Sequence, residues 1–253
     1  MCILITGGGC EEPIDGVRSI CNFSTGKTAS FLADWFASRG SEVIELRAEH
    51  AARPTANLYV KRFRRFDDLA ALLQRELETQ DIDLVIHAAA VSDYRPHLVE
   101  VNGIPYAAES VPKIESGAEV VIRLKGNPKL IDNLREWSRN PDCRIVGFKL
   151  TNSADIPARQ KAAAEILYRS KVDLIVGNDR TEISETQHIT RCYRLNTRNE
   201  PECVFQGQTQ NDLAEFLFET FADATDCGKP AYGRKSDKLP AAFLRKDEHD
   251  IDN

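Results

Sequence analysis

Several features that would mark a function class are missing from this chain of 253 residues. Positive charge is not in excess: 33 Lys and Arg stand against 39 Asp and Glu, a formal net charge of −6. A general nucleic-acid binder shows a basic surface, so that class is disfavoured. The run Lys61-Arg62-Phe63-Arg64-Arg65 is short and reads as a solvated edge. The seven cysteines, at 2, 10, 21, 143, 192, 203 and 227, are odd in number and include no C-x-x-C pair. That excludes a disulfide framework and a zinc pattern, and it fits a reduced, cytoplasmic setting. No secretory signal is visible ahead of the first strand, which begins at residue 2. The longest apolar run, Leu84 to Val91, is too short to span a bilayer and contains His87. None of the six tyrosines is followed four residues later by lysine, which argues against hydride transfer by a short-chain dehydrogenase. Histidines are few, and His50, His97, His188 and His249 read as surface residues.

Alternating strands and helices dominate what is present. Strands are expected at 2–6, 43–46, 58–63, 84–90, 119–124, 144–150 and 173–176. Helices are expected at 26–39, 66–77, 128–137, 157–169 and 210–221, from their apolar periodicity and from Gly40 and Pro128 as stop and start signals. Residues 189–195 and 202–205 read as a hairpin turning at 196–199. This order predicts an α/β fold, a Rossmann-like doubly wound and mostly parallel sheet. Strands 2–6 and 84–90 should flank the switch point, so that the loops after them face one crevice. The stretch 92–115 carries Pro96, Gly103, Pro105 and Pro112, shows no period, and is expected to be an irregular flap. One domain over 1–225 and a charged, frayed tail over 226–253 complete the organisation.

The first strand ends in Gly7-Gly8-Gly9. This is not G-x-G-x-x-G, because Glu12 stands where the last glycine belongs, but small residues let a backbone approach phosphate closely. Gly26-Lys27-Thr28 resembles the end of a P-loop, yet the first glycine of that motif would fall on Cys21. Between the two, Arg18, Asn22, Ser24, Thr25 and Lys27 place donors where a phosphate or activated acyl group would sit. Across the crevice, Asp93 follows the small-residue end of the strand at 84–90, with Arg95 beside it. Lys113 lies in the flap, where a lysine can close over anionic phosphates.

The block Glu12-Pro13-Ile14-Asp15-Gly16-Val17-Arg18-Ser19-Ile20-Cys21-Asn22-Phe23-Ser24-Thr25-Gly26-Lys27 resembles the E-P-I-D-x-V-R-x-I-x-N-x-S-S-G-K signature of the phosphopantothenoylcysteine synthetases, or phosphopantothenate–cysteine ligases. Ala88-Ala89-Ala90-Val91-Ser92-Asp93-Tyr94 is similar to that family's A-A-A-V-S/A-D-Y/F motif. Lys113-Ile114, Asn127-Pro128, Val146-Gly147-Phe148 and Asp173 to Asp179 follow in the family's order.

The resemblance implies a ligase of coenzyme A biosynthesis. It would activate the carboxylate of 4′-phosphopantothenate as an acyl-nucleotide, with CTP favoured over ATP and Mg²⁺ accompanying the triphosphate, and then pass the acyl group to cysteine. It also implies a homodimer, with the 188–205 hairpin as the associating segment, and a stand-alone form without flavin. Carried over by position, Asn22 would hold the acyl-nucleotide, Lys113 would serve activation and Arg18 the substrate. Gly8, Gly9, Ser24, Gly26, Ala89, Asp93, Asn127, Phe148, Lys161 and Lys171 would line the nucleotide. Cys10, Thr28-Ala29, Glu115 and Ser116 depart from the family's usual residues. Two other classes stay open: a Rossmann-type NAD(P)-binding protein or oxidoreductase, and a non-catalytic nucleotide-binding relative.

Overall fold

The computed structural model describes residues 1–184 and 187–222. In chain order the elements are β1 (Cys2–Gly7), β2 (Glu11–Pro13), β3 (Ser19–Cys21), α1 (Lys27–Ser38), β4 (Glu42–Ala48), β5 (Tyr59–Phe63), α2 (Phe66–Thr79) and β6 (Leu84–His87). Then come β7 (Tyr94–Val101), β8 (Ile104–Ala107), β9 (Val120–Gly126), α3 (Leu134–Trp137), β10 (Arg144–Thr151), α4 (Ile156–Ser170), β11 (Leu174–Ile183), β12 (His188–Leu195), β13 (Pro201–Gly207) and α5 (Gln210–Ala222). The tail expected over 226–253 lies outside the described residues.

Eight strands form the central sheet in the order β13-β12-β11-β10-β6-β1-β4-β5. The six from β11 to β5 run parallel; β12 and β13 are antiparallel additions. The period of two splits each strand's apolar residues between two layers. Leu4, Ile44, Val85, Ile145 and Ile175 pack with Leu69 and Leu73 of α2 and Leu167 of α4. Ile3, Ile5, Val43, Ile86 and Val176 pack with Leu32 and Phe36 of α1 and Leu213 and Leu217 of α5. The chain winds outward from β1 through β4 to β5, then returns to β6 on β1's other side and continues to β10 and β11. The topological switch therefore falls between β1 and β6, as expected.

Two expectations are corrected. Residues 94–107 are not an irregular loop: β7 pairs with both β8 and β9 in a separate three-stranded antiparallel sheet. Asn102 (φ 50°) and Gly103 (φ 78°) form the two-residue turn between β7 and β8, the strongest short hairpin signal a sequence offers. Pro96 is tolerated because β8 begins pairing only at Leu98 and the β9 register shifts between Pro96 and Leu98. The helix expected over 128–137 is reduced to a 3₁₀ turn at Leu130–Asp132 and the single turn of α3. Lys129 is extended, and Asp132 is held by Ser170 Oγ (2.5 Å) and Arg169 Nε (3.0 Å) of α4.

The 188–205 hairpin is present as β12 and β13, and it continues the central sheet. β13 is the sheet's edge strand, with Phe205 stacked on Phe216 of α5 at 4.3 Å.

Candidate active site

The loops after β1 and β6 are knit together beyond the ends of their strands. Ala90 N–H donates to Gly8 O (2.8 Å) and Cys10 N–H donates to Ala90 O (3.1 Å). Gly8 has φ +87°, a left-handed conformation. At Gly9 the constraint is space: a Cβ there would lie 2.2 Å from the carbonyl oxygen of Asn22. This is how the third glycine brings the signature segment onto the crevice. Gly26 caps α1, whose first N–H groups point at the same region, an arrangement suited to phosphate. The departure at Ala29 is accommodated at Gly7, where a Cβ would stand 2.4 Å from that of Ala29.

Under the crevice floor, Thr6 Oγ1 lies 2.9 Å from His87 Nδ1 and accepts the N–H of Ala89 at 3.1 Å. The Thr6 hydroxyl thus ties the buried ring to the start of the loop after β6. Burial pushes His87 down to about 4, so it is neutral at pH 7. Nothing in the residue types foretold this pair. The register Thr6↔His87 across β1 and β6 creates it. His50 and His97 are exposed as expected. His188 is half-buried, and burial lowers its pKa; His249 lies outside the described residues.

The signature segment forms the β2–β3 hairpin, which composition alone does not reveal. The buried Asp15 carboxylate accepts the N–H groups of Val17 (2.8 Å), Arg18 (2.7 Å) and Ile114 (3.1 Å) and the Arg18 guanidinium (2.5 Å). Burial opposes its ionisation, but these donors outweigh it and hold the acid well below the usual carboxylate range. Arg18 Nη1 also donates to Ile114 O at 3.1 Å. Expected at a substrate, Arg18 is here a clasp on the segment that carries Lys113. Lys113 itself is exposed beside the buried Ile114. The expected flap is thus a β-sheet followed by a fastened segment.

Asn22 Nδ2 donates to Val91 O at 2.9 Å, which joins the end of the signature segment to the loop after β6. Ser24 is half-buried nearby, ahead of Gly26. Across the crevice, Asp93 O accepts Asn127 N–H (2.8 Å), and Asn127 Nδ2 donates to Ser92 O (2.9 Å). The Oδ1 of Asn127 is buried without a partner among the described residues. The Asp93 carboxylate pairs with Lys129 Nζ, and Arg95 forks onto Asp67 of α2 at 2.8–2.9 Å. Phe148 follows Gly147, the register partner of His87, and so stands at the mouth beside Ala88 and Ala89. Lys161 is exposed in the second turn of α4, whose N-terminal end adjoins the carboxyl ends of the strands.

Lys171 is corrected. It is the left-handed cap (φ 51°) at the other end of α4. Fifteen residues at 1.5 Å each put that cap about 22 Å along the helix, at the amino-terminal edge of the sheet. The structure thus gathers Gly8, Gly9, Asn22, Ser24, Gly26, Ala89, Asp93, Asn127 and Phe148 around one crevice, and leaves Lys171 away from it. Among the described residues no three His, Cys, Asp or Glu side chains meet to hold a metal. No helix among them is long and apolar enough to cross a membrane.

Residues 1–224 match the model of the DNA/pantothenate metabolism flavoprotein C-terminal domain family. The coenzyme A biosynthesis bifunctional protein CoaBC of Thermococcus kodakarensis is 28% identical over 218 residues, 86% of this chain and 50% of that protein. The CoaBC of Mycobacterium bovis is 37% identical over 180 residues, 70% of this chain and 41% of that protein. The chain thus spans about half or less of the length of these relatives. The crystal structure of the DNA/pantothenate metabolism flavoprotein from Streptococcus pneumoniae superposes with a TM-score of 0.77 at 31% identity, covering 88% of this chain and 99% of that one. A Cab2 mutant in complex with phosphopantothenate-cysteine shares the fold, at a TM-score of 0.65 and 18% identity over 88% of each chain. Because the family model spans residues 1–224, most of its length, the chain belongs to the DNA/pantothenate metabolism flavoprotein C-terminal domain family.

Proposed function

We propose that this chain joins 4′-phosphopantothenate to cysteine through an acyl-nucleotide, with CTP favoured over ATP. The observation that carries the reading is the Asn22–Val91 hydrogen bond, which brings the two signature motifs together at the switch point. A carboxylate does not acylate an amine at useful rates until it carries a good leaving group. In the first step a carboxylate oxygen attacks the α-phosphorus of the triphosphate and pyrophosphate leaves. In the second the cysteine amine attacks the acyl carbon, an amide forms, and the nucleoside monophosphate departs with the acyl-bound oxygen. Positioning and charge stabilisation suffice for such transfers, so no side-chain nucleophile is required.

The glycine loop and the α1 N-terminus supply backbone donors for phosphate. In this reading Asn22 holds the acyl-phosphate, and Lys113 offsets charge as pyrophosphate leaves. A magnesium ion would come in on the triphosphate: this ion keeps waters and takes phosphate oxygens rather than needing an all-protein cage. The edge strand β13 supports the proposal of a homodimer formed through the 188–205 hairpin, since an open edge invites pairing. The oxidoreductase alternative is disfavoured by the missing Tyr-x-x-x-Lys pair. Pyrophosphate release with phosphopantothenate and each triphosphate, with and without cysteine, tests the proposal. Release that requires phosphopantothenate, and a thiol-bearing amide product once cysteine is added, are expected. No release with either triphosphate would refute it.

A further inference from the structure

A second polar cavity lies apart from the crevice, one strand further out on the α1 side of the sheet. It measures about 280 Å³ and is lined by Arg47, Arg53, Asn57, Leu58, Val60 and Arg62, with Pro54 and Ala56 at its wall. Its donors are placed by the β4–β5 ladder, in which Arg47 and Arg62 are register partners. The loop that carries Arg53 is pinned to α1, where Asp34 accepts the N–H groups of Thr55 (2.8 and 2.9 Å) and Ala56 (2.7 Å).

Arg47 is only 3% exposed. Its Nη1 donates to Ala51 O at 3.0 Å, and its Nε is buried without a hydrogen-bond partner among the described residues. Glu45, on the same strand face, forms a long ion pair with that Nε at 3.8 Å, beyond hydrogen-bond reach. A buried guanidinium N–H without a hydrogen bond is costly. Neither Arg53 nor Arg62 has a carboxylate partner among the described residues, and both are exposed.

We propose that this cavity is a binding site for a compact phosphomonoester, separate from the crevice. Three arginines beside the single carboxyl of Glu45 leave at least two net positive charges, the complement of a dianionic phosphate. Arginine's planar fork suits phosphate oxygens better than a point charge does. Leu58, Val60 and Pro54 give a short organic stem an apolar wall. The volume falls just below the roughly 300–1,000 Å³ of pockets for drug-sized ligands, which favours a small ester over a nucleotide. The site also touches the phosphate cradle: a Cβ on Gly8 would meet those of Ala48 and Ala51 at 2.5 and 2.6 Å. Arg47 holds that same loop through Ala51, so occupancy here bears on the cradle's wall.

The test titrates the full chain with inorganic phosphate and with glycerol 3-phosphate, followed by the NMR signal of Arg47 Nε–H. The expected result is a saturable shift, tighter for the ester, that persists when a nucleoside triphosphate fills the crevice. Replacing exposed Arg53 and Arg62 together by Ala should weaken it about tenfold or more, the equivalent of about 1.4 kcal/mol. Arg62→Lys, which keeps charge but loses the fork, should weaken it less. An unchanged affinity in the double variant, equal affinity for phosphate and ester, displacement by the triphosphate, or no saturation would overturn the proposal. None of these outcomes depends on pyrophosphate release, so the site and the proposed ligase activity stand or fall separately.

Discussion

The Asp15 carboxylate and the Arg18 guanidinium grip Ile114 from both sides, one accepting its N–H at 3.1 Å and the other donating to its carbonyl at 3.1 Å. The grip crosses 99 positions of sequence and sets where Lys113 stands. Asp15→Ala removes four acceptor contacts at once. It should lower Tm by several degrees and speed protease cleavage within 111–117, whereas Asp15→Asn should do less of both. Equal cleavage rates in wild type and Asp15→Ala would mean that the grip does not hold the segment.

Gly9→Ala should disturb the crevice more than any other single methyl. The added Cβ meets backbone, the Asn22 carbonyl at 2.2 Å, which cannot rotate away. Overpacking of this kind costs about 1–3 kcal/mol, to be read from the urea midpoint. Turnover should fall further than stability accounts for. Gly16→Ala, where nothing lies within 4 Å, is the matched control and should leave turnover intact.

Lys113→Gln should slow pyrophosphate release about 10²–10³-fold, the usual cost of one lost electrostatic donor, with a modest change in triphosphate affinity. Asn22→Asp should likewise spare triphosphate binding yet impair intermediate formation, because a carboxylate cannot donate to Val91 O. Rapid-quench kinetics with binding measured separately distinguishes the two effects. Near-normal turnover in either variant removes that residue from the site.

Two buried groups titrate in opposite senses. Burial pushes Glu45 up to about 7, against the pull of Arg47. Its contribution to stability is present below its unfolded value and is lost as pH rises through 7. Burial pushes His87 down to about 4. Its contribution is present above the unfolded value near 6.5 and is lost as pH falls towards 4. Each displacement is worth on the order of 3 kcal/mol, at about 1.36 kcal/mol per pH unit. Wild-type stability between pH 4.5 and 7 should therefore be nearly flat from this pair. Glu45→Gln should make stability rise with pH across that range, and His87→Asn should make it fall. Denaturant midpoints at five or six pH values decide it; parallel profiles in both variants would refute the assignment.

Much of the fold was legible because β1, β4, β6 and β10 are apolar runs bounded by clear stops, and α1 and α2 carry strong periodicity. The β7–β8 hairpin is hard to read because Pro96 and Pro105 interrupt the strand pattern on either side of the Asn102-Gly103 turn. The 128–137 helix was overcalled because the hold of α4 on Asp132 is a tertiary fact with no local trace. The motifs point to Gly9, Asn22, Asp93 and Phe148, which the fold brings to one crevice; their roles there are proposals. They did not reveal Arg18 as a clasp or His87 beneath the floor, since both depend on register between distant strands. Lys171 lies away from the crevice because the fifteen residues of α4 carry it to the opposite end of the sheet.

The lacing of Gly8 to Ala90, Asn22 to Val91 and Asp15 to Ile114 has a consequence for biosynthesis. A ribosome delivers residues 7–27 first, and domains gain structure as they emerge. These three partners are encoded some seventy to a hundred positions later. The nascent chain must therefore leave these three closures unmade while β4, α2 and β6 are still being made, and long-range closures of this sort are slow. Early truncation products should be unable to bind nucleotide, and the crevice should be among the last parts of the domain to acquire protection from hydrogen exchange.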